Sequence, residues 1–86
     1  MTHRARIRIQ LLRSLRAAGG EPMPEDALVN AVSVLVQPAP GAGDTRAELA
    51  DIEREGFVIS TLDMFTHVRS YNLTTLGDNK AKELLK

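Results

Sequence analysis

Apolar residues in the first part of the chain recur at the spacing of one helical face. The spacing i, i+4, i+8 and i+11 is occupied by Ile7, Leu11, Leu15 and Ala18, and Leu12 widens the face. Glycines come next, at positions 19 and 20, and glycine often ends a helix because it accepts the left-handed backbone. The pattern predicts a first helix over residues 2–18.

A second helix is predicted to begin where a proline-rich turn ends. Pro24 suits the first helical position, and Glu25 and Asp26 suit the positive end of the helix dipole. Several β-branched valines weaken the helical pattern, but the clear start signal favours a helix over a strand. The residues expected on its core face are Leu28, Ala31, Val32 and Leu35.

The third helix is predicted to begin at Thr45. Residues 37–43 hold prolines and glycines, so they predict a loop. Thr45 and Glu48 then match the capping box, in which the threonine caps the helix and the glutamate reaches back. The helix is expected to end at a glycine, position 56, and its core face carries Leu49 and Ile52.

Two strands and a short helix are predicted to complete the chain. The strands cover residues 57–62 and 68–74, and residues 63–67 form the tip between them. The last helix covers residues 79–86, with three residues turned inward: Ala81, Leu84 and Leu85. The order helix, helix, helix, strand, strand, helix describes an α+β domain that is mostly helical.

Two local patterns resemble the winged-helix DNA-binding superfamily. The L-x-x-L-E-x-x-G-L-V passage from recognition helix to wing is similar to Leu49-Ala50-Asp51-Ile52-Glu53-Arg54-Glu55-Gly56-Phe57-Val58. The Y-x-L-T-x-x-G run that closes many bacterial regulator wings is similar to Tyr71-Asn72-Leu73-Thr74-Thr75-Leu76-Gly77. Glycine permits a sharp exit from helix to strand, and Thr74 is placed to cap or turn the chain before the last element.

The resemblance covers about residues 5–86. It implies a single winged helix-turn-helix domain over residues 1–86, with three helices, a two-stranded wing and a C-terminal helix. A weaker resemblance, to small winged-helix proteins of Mu-like phages, begins at Arg46-Ala47-Glu48-Leu49. The loop at residues 37–44 is longer than the usual turn between the two helices, and it could displace the third helix.

The charge is uneven although the formal net charge is zero. Residues 1–20 hold five arginines and no acid, whereas residues 21–63 hold nine acids and two arginines. Such polarity can orient a protein on an anionic surface. A strongly basic DNA-binding domain has a different balance.

Composition excludes several classes of site. The absence of cysteine excludes a disulfide framework, a cysteine-ligated zinc finger and a thiol nucleophile. Scarce aromatic residues argue against a base-stacking module, and no apolar run approaches the roughly 18 residues of a membrane helix. His3 and His67 each lack a second histidine at metal-binding spacing. We therefore expect a cytoplasmic protein without enzymatic activity, metal or cofactor.

The predicted DNA contacts are few. With Leu49 and Ile52 inward, the third helix should turn outward Ala47, Ala50, Asp51 and Arg54, bordered by Glu48 and Glu55. This face carries few side chains that can hydrogen-bond to the edges of bases. The expected contacts come from this helix, the wing and a basic N-terminal arm: Arg4, Arg6, Thr45, Arg46, Arg54, His67 and Arg69.

Two functions remain open from the sequence. The first is a small transcriptional regulator that binds duplex DNA, as a homodimer through helices 1 and 4. The second is a winged-helix module that binds protein and no longer binds DNA. The first is the leading hypothesis, and the features that support the second are the sparse third helix, the zero net charge and the enlarged loop.

Overall fold

The elements follow the predicted order, with one short strand added. The computed structural model of the chain describes residues 2–84. The elements are α1 (His3–Ala17), β1 (Met23–Pro24), α2 (Glu25–Leu35), α3 (Ala42–Arg54), β2 (Val58–Leu62), β3 (Arg69–Leu73) and α4 (Thr75–Leu84). Four helices, the hairpin and their order are as the sequence predicts. No helix within residues 2–84 is long and apolar enough to cross a membrane.

The sheet has three antiparallel strands in the order β1-β3-β2. In the wing hairpin, Val58 lies opposite Leu73 and Leu62 opposite Arg69. The added strand β1 lies on the other side of β3, where Met23 faces Tyr71. Sequence analysis predicted only an extended turn there, because β1 forms by pairing with residues far along the chain.

The core lies around α1, which packs against α2, α3, α4 and β3. Its buried apolar residues are Ile7, Leu11, Leu12, Leu15, Leu28, Val32, Val36, Leu49, Ile52, Val58, Tyr71 and Ala81. The prediction for Leu35 is wrong, because this side chain is 62% exposed. Helix α2 ends there, and the extended backbone of Val36 places that side chain in the core instead.

Helix α3 begins three residues before the predicted start. Gly41 is its N-cap, and the Thr45 N–H already donates to the Gly41 carbonyl at 3.3 Å. Thr45 and Glu48 therefore lie inside the helix, where both are buried. The predicted capping box is wrong, because an earlier glycine starts the helix.

Helix α4 also begins earlier than predicted, and Thr74 caps it as expected. The Thr74 hydroxyl accepts from the Gly77 N–H at 3.0 Å and donates to the Gly56 carbonyl at 2.6 Å. The same hydroxyl thus closes the wing and starts α4. Ala81 is buried as predicted, whereas Leu84 is 40% exposed. The predicted inward position of Leu85 lies outside the described residues.

Glycine is required at position 77 by a close approach of backbone. A Cβ atom there would overlap the carbonyl oxygen of Phe57 and come within 3.1 Å of Leu73. That Phe57 carbonyl accepts from the Thr74 N–H at 3.0 Å. The end of the Y-x-L-T-x-x-G run therefore packs directly on the first residues after α3.

Candidate nucleic-acid interface

Helix α3 turns a narrow face of small and basic residues to solvent. The exposed residues of α3 are Gly43, Asp44, Arg46, Ala47, Ala50 and Arg54. We call five of them the α3 face (Gly43, Arg46, Ala47, Ala50 and Arg54), and Asp44 borders this face in the first turn. The opposite side of the helix is buried by Leu49 and Ile52. The backbone of α3 can therefore closely approach a groove along the centre of this face.

The acids predicted to border the α3 face are held by arginines of α1. Glu48, whose side chain is only 4% exposed, pairs with Arg4 Nε at 2.8 Å and Arg8 Nη2 at 3.0 Å. Asp51 pairs with Arg4 Nη2 at 2.7 Å, and Glu55 with Arg8 Nη1 at 2.8 Å. We call these five residues the α1–α3 ion-pair cluster. The hydrogen bond and charge of Glu48, then the charge of Asp51, raise the pKa of Arg4.

The arginines assigned to the predicted N-terminal arm lie on α1, as the predicted first helix places them, and their contact with DNA stays a prediction. Helix α1 begins at His3, after Thr2 caps it by accepting from the Ala5 N–H at 3.1 Å. Arg4 is held by the ion-pair cluster. Arg6 donates from Nη1 to the carbonyl of Gln37 at 3.3 Å, so both side chains contact the protein's own surface.

Of the three DNA contacts predicted on α3, one is buried and two are exposed. Thr45 is 1% exposed and its hydroxyl has no hydrogen-bond partner within the described residues. The expectation that Thr45 reads a base is therefore wrong, because inside the helix it lies one turn before Leu49 on the core face. Arg46 and Arg54 are exposed, and they pair with Glu25 at 3.3 Å and Asp51 at 3.0 Å.

The two predicted wing residues lie on the hairpin near its tip. Arg69, on β3, donates from Nη1 to the Ser60 hydroxyl at 2.9 Å. That hydroxyl donates to Glu53 Oε2 at 2.6 Å, so the guanidinium is fastened to the end of α3. His67 is exposed and has a positive φ of 57°. The wing thus presents the Arg69 guanidinium and the exposed His67 ring beside the tip.

Sequence analysis missed the apolar character of the wing tip. Met64 is 84% exposed and Phe65 is 95% exposed. The available signal was a pair of large apolar residues in a predicted hairpin tip, where small polar residues are usual. The ion-pair cluster also had a signal, because Arg4 and Arg8 stand one turn apart on the first helix.

A groove of about 410 Å³ lies between α1, the end of α2 and the end of α4. Its lining combines apolar and basic side chains: Arg6, Ile9, Gln10, Arg13, Leu35, Val36, Gln37 and Leu84. The exposed Leu35 belongs to this groove, which explains why it is absent from the core.

Comparison with known proteins supports the fold. A crystal structure of a MepR mutant from a multidrug-resistant S. aureus clinical isolate superimposes with a TM-score of 0.76 and 15% identity. MepR is a winged-helix regulator of the MarR family. The match covers 90% of this chain and 52% of the MepR chain, so this chain spans about half the length of that protein. The fold is a winged helix.

No protein-family model matches the chain, and no curated protein matches it in sequence. The resemblance to small proteins of Mu-like phages stays a prediction.

Proposed function

We propose that this winged helix is a small transcriptional regulator that binds duplex DNA, with α3 in the major groove. The observation that carries the proposal is the α3 face. Gly43, Ala47 and Ala50 leave its centre without bulk, Arg54 lies at its C-terminal end and Arg46 along one side, and Asp44 is the exposed acid on the other side. The B-DNA major groove is about 12 Å wide and admits one helix, and small side chains let that helix enter deeply.

The burial of Glu48 supports this proposal. Sequence analysis placed its carboxylate beside the DNA-reading face, where phosphates would repel it. In the structure Glu48 turns towards α1 and pairs with Arg4 and Arg8. Asp51 and Glu55 are also paired with these arginines, so these three acids are compensated within the protein, whereas Asp44 is exposed in the first turn of α3.

Arg46 and Arg54 are available for phosphate despite their ion pairs. Their side chains are 51% and 75% exposed, and exposed ion pairs contribute only about 0–1 kcal/mol. A DNA phosphate can replace the carboxylate at little cost. Arg69 and His67 add wing contacts in this proposal. Because few side chains reach bases, most of the affinity comes from the phosphate backbone.

Titration with a fluorescent random-sequence duplex tests DNA binding. We expect measurable affinity at about 50 mM salt and a steep loss towards about 200 mM. Arg46→Ala and Arg54→Ala should each weaken binding and reduce the salt slope by about 1. The matched control is Arg16→Ala, on the far end of α1, where Arg16 lies 3.8 Å from Asp78. Absence of binding at the lower salt refutes the proposal.

We propose further that two copies associate through α1 and α4. A single module of this kind buries little DNA surface, and regulators with this motif read two half-sites as dimers. The groove between these helices exposes Ile9, Leu35 and Leu84 along its lining. In this proposal a second copy covers those apolar side chains.

Sedimentation equilibrium tests this association. The wild type should sediment as a dimer, and Leu35→Asp should sediment as a monomer because it places a charge in the groove. Ile59→Asp is the matched control, since Ile59 is 56% exposed on β2 and away from the groove. A monomeric wild type at micromolar concentration contradicts the proposed dimer.

A protein-binding module without DNA affinity is the second candidate. The observation that favours it is the apolar wing tip, Met64 and Phe65, on a chain of zero net charge. The same duplex titration separates the two candidates. A wild-type protein that does not bind DNA at low salt favours the protein-binding function.

A further inference from the structure

The wing tip exposes more apolar surface than its position in a hairpin requires. Met64 and Phe65 are 84% and 95% exposed, and Leu62 and Val68 beside them are 47% and 43% exposed. The chain has only two phenylalanines and one tyrosine, and one of these aromatic rings stands in solvent. Contiguous exposed apolar surface of this kind marks a contact site.

The tip is held in one conformation by Asp63. Its Oδ1 accepts from the Phe65 N–H at 2.8 Å and the Thr66 N–H at 3.0 Å. Its backbone bonds to His67 and Val68 close the turn at 2.9 and 3.0 Å. The backbone that carries Met64 and Phe65 is therefore ordered before any partner arrives, which lowers the entropic cost of contact.

The shape and charge of the tip indicate what it enters. The end of a two-stranded hairpin is narrow, since paired strands lie about 4.8 Å apart, and it protrudes, so it needs a cleft. Arg69 and His67 stand beside the apolar pair. The Arg69 guanidinium and the N–H donor of the His67 ring beside a narrow apolar edge complement a cleft with anionic walls and an apolar interior, and the Asp63 carboxylate is bonded back to the Phe65 and Thr66 N–H groups. The minor groove, about 6 Å wide and walled by phosphates over stacked bases, has this character.

We propose that the wing tip enters the minor groove and that Met64 and Phe65 insert between adjacent base pairs, kinking the duplex. This inference rests on the proposed DNA binding. Apolar wedges of this chemistry unstack base steps and bend DNA by 20–90° in minor-groove proteins. The insertion should favour pyrimidine–purine steps, which unstack most easily. A protein with few base-reading side chains on α3 then selects sites by their deformability.

A tryptophan placed at the tip reports insertion directly. The chain contains no tryptophan and one tyrosine, so Phe65→Trp creates a single tryptophan, which can be excited apart from Tyr71. Adding random-sequence duplex should quench its emission by stacking and protect it from acrylamide. Ile59→Trp is the matched control, because Ile59 is exposed on the same hairpin but away from the tip. Equal quenching at both positions, or quenching at neither, overturns the insertion.

Unstacking of the bases is measured with 2-aminopurine placed at a central TA step of an otherwise unlabelled duplex. Wild-type protein should raise its fluorescence by unstacking the base. The double variant Met64→Ser and Phe65→Ser should abolish that rise and bind about tenfold more weakly, with the salt slope unchanged because no cation is lost. Val34→Ser, which removes an apolar side chain 72% exposed on α2, should behave as wild type.

The outcomes separate the insertion from DNA binding itself. A wild type that binds with steep salt dependence, leaves 2-aminopurine unchanged and is matched in affinity by the double variant overturns the insertion alone. A wild type that does not bind the duplex overturns the proposed function and the insertion together.

Discussion

Neutralising the Glu48 side chain tests the energetic role of the α1–α3 ion-pair cluster. Glu48→Gln keeps the shape of the side chain and removes its charge. The carboxylate is 4% exposed and receives Arg4 Nε at 2.8 Å and Arg8 Nη2 at 3.0 Å. The amide of glutamine keeps one acceptor oxygen but turns an N–H₂ group towards a guanidinium.

The expected loss is about 2 kcal/mol in the free energy of unfolding. Removing one partner of a fully buried ion pair costs about 3–5 kcal/mol. Here the loss is smaller, because the side chains of Arg4 and Arg8 are 72% and 28% exposed and can be hydrated. Each arginine also keeps a second carboxylate, Asp51 or Glu55. For a domain of this size the change lowers Tm by about 8–16 °C.

Thermal and urea unfolding followed by circular dichroism measure this loss. Glu83→Gln is the matched control, because its side chain is 70% exposed and 3.8 Å from Lys80; it should change stability by less than about 0.5 kcal/mol. Glu48→Gln should also bind random DNA more tightly at low salt, since it removes a compensating negative charge beside α3. Equal stability of the two variants refutes the assigned role of Glu48.

Two substitutions and one titration test the packing around the wing and α3. Gly77→Ala should destabilise the protein by about 2–3 kcal/mol in urea unfolding, because its Cβ overlaps the Phe57 carbonyl; a neutral effect would contradict that packing. Thr45→Val should raise stability by about 1 kcal/mol by removing a buried hydroxyl without a partner in residues 2–84, and a loss would show that the hydroxyl is bonded. Burial, and then the charge of Glu25, raise the pKa of Tyr71 to about 12. The neutral phenol therefore contributes stability below the ordinary pKa of 10.0 that is lost as pH rises through about 12. Absorbance titration of this single tyrosine measures the shift, and a midpoint near 10 contradicts it.

The sequence was sufficient wherever a local pattern determines the structure. The apolar spacing of α1, the two strands of the hairpin and the cap at Thr74 are predicted from neighbouring residues, and the structure confirms them. The start of α3 was predicted wrongly because two local signals compete. Gly41 begins the helix before Thr45, and nothing in the local sequence ranks these two starts.

The candidate site was less predictable because its character comes from tertiary contacts. Glu48 lies beside the DNA-reading face in a helical projection, and only the approach of Arg4 and Arg8 from α1 turns it inward. The ion pairs of Arg4 were unpredictable for the same reason, since the acids that hold it lie far along the chain. Met64 and Phe65 were accessible to sequence analysis, which treated the hairpin tip as a connection only.

The short strand β1 helps to fix the distance between the two proposed DNA contacts, the α3 face and the wing tip. It pairs with β3 and continues directly into α2, while Gly56 joins α3 to β2. The hairpin is therefore attached at both of its edges to the helix-turn-helix unit and cannot tilt alone. The length of the hairpin strands then determines how far from α3 the wing tip lies along the duplex. Two residues added to each strand would advance the tip by about 6.6 Å, roughly two base-pair steps.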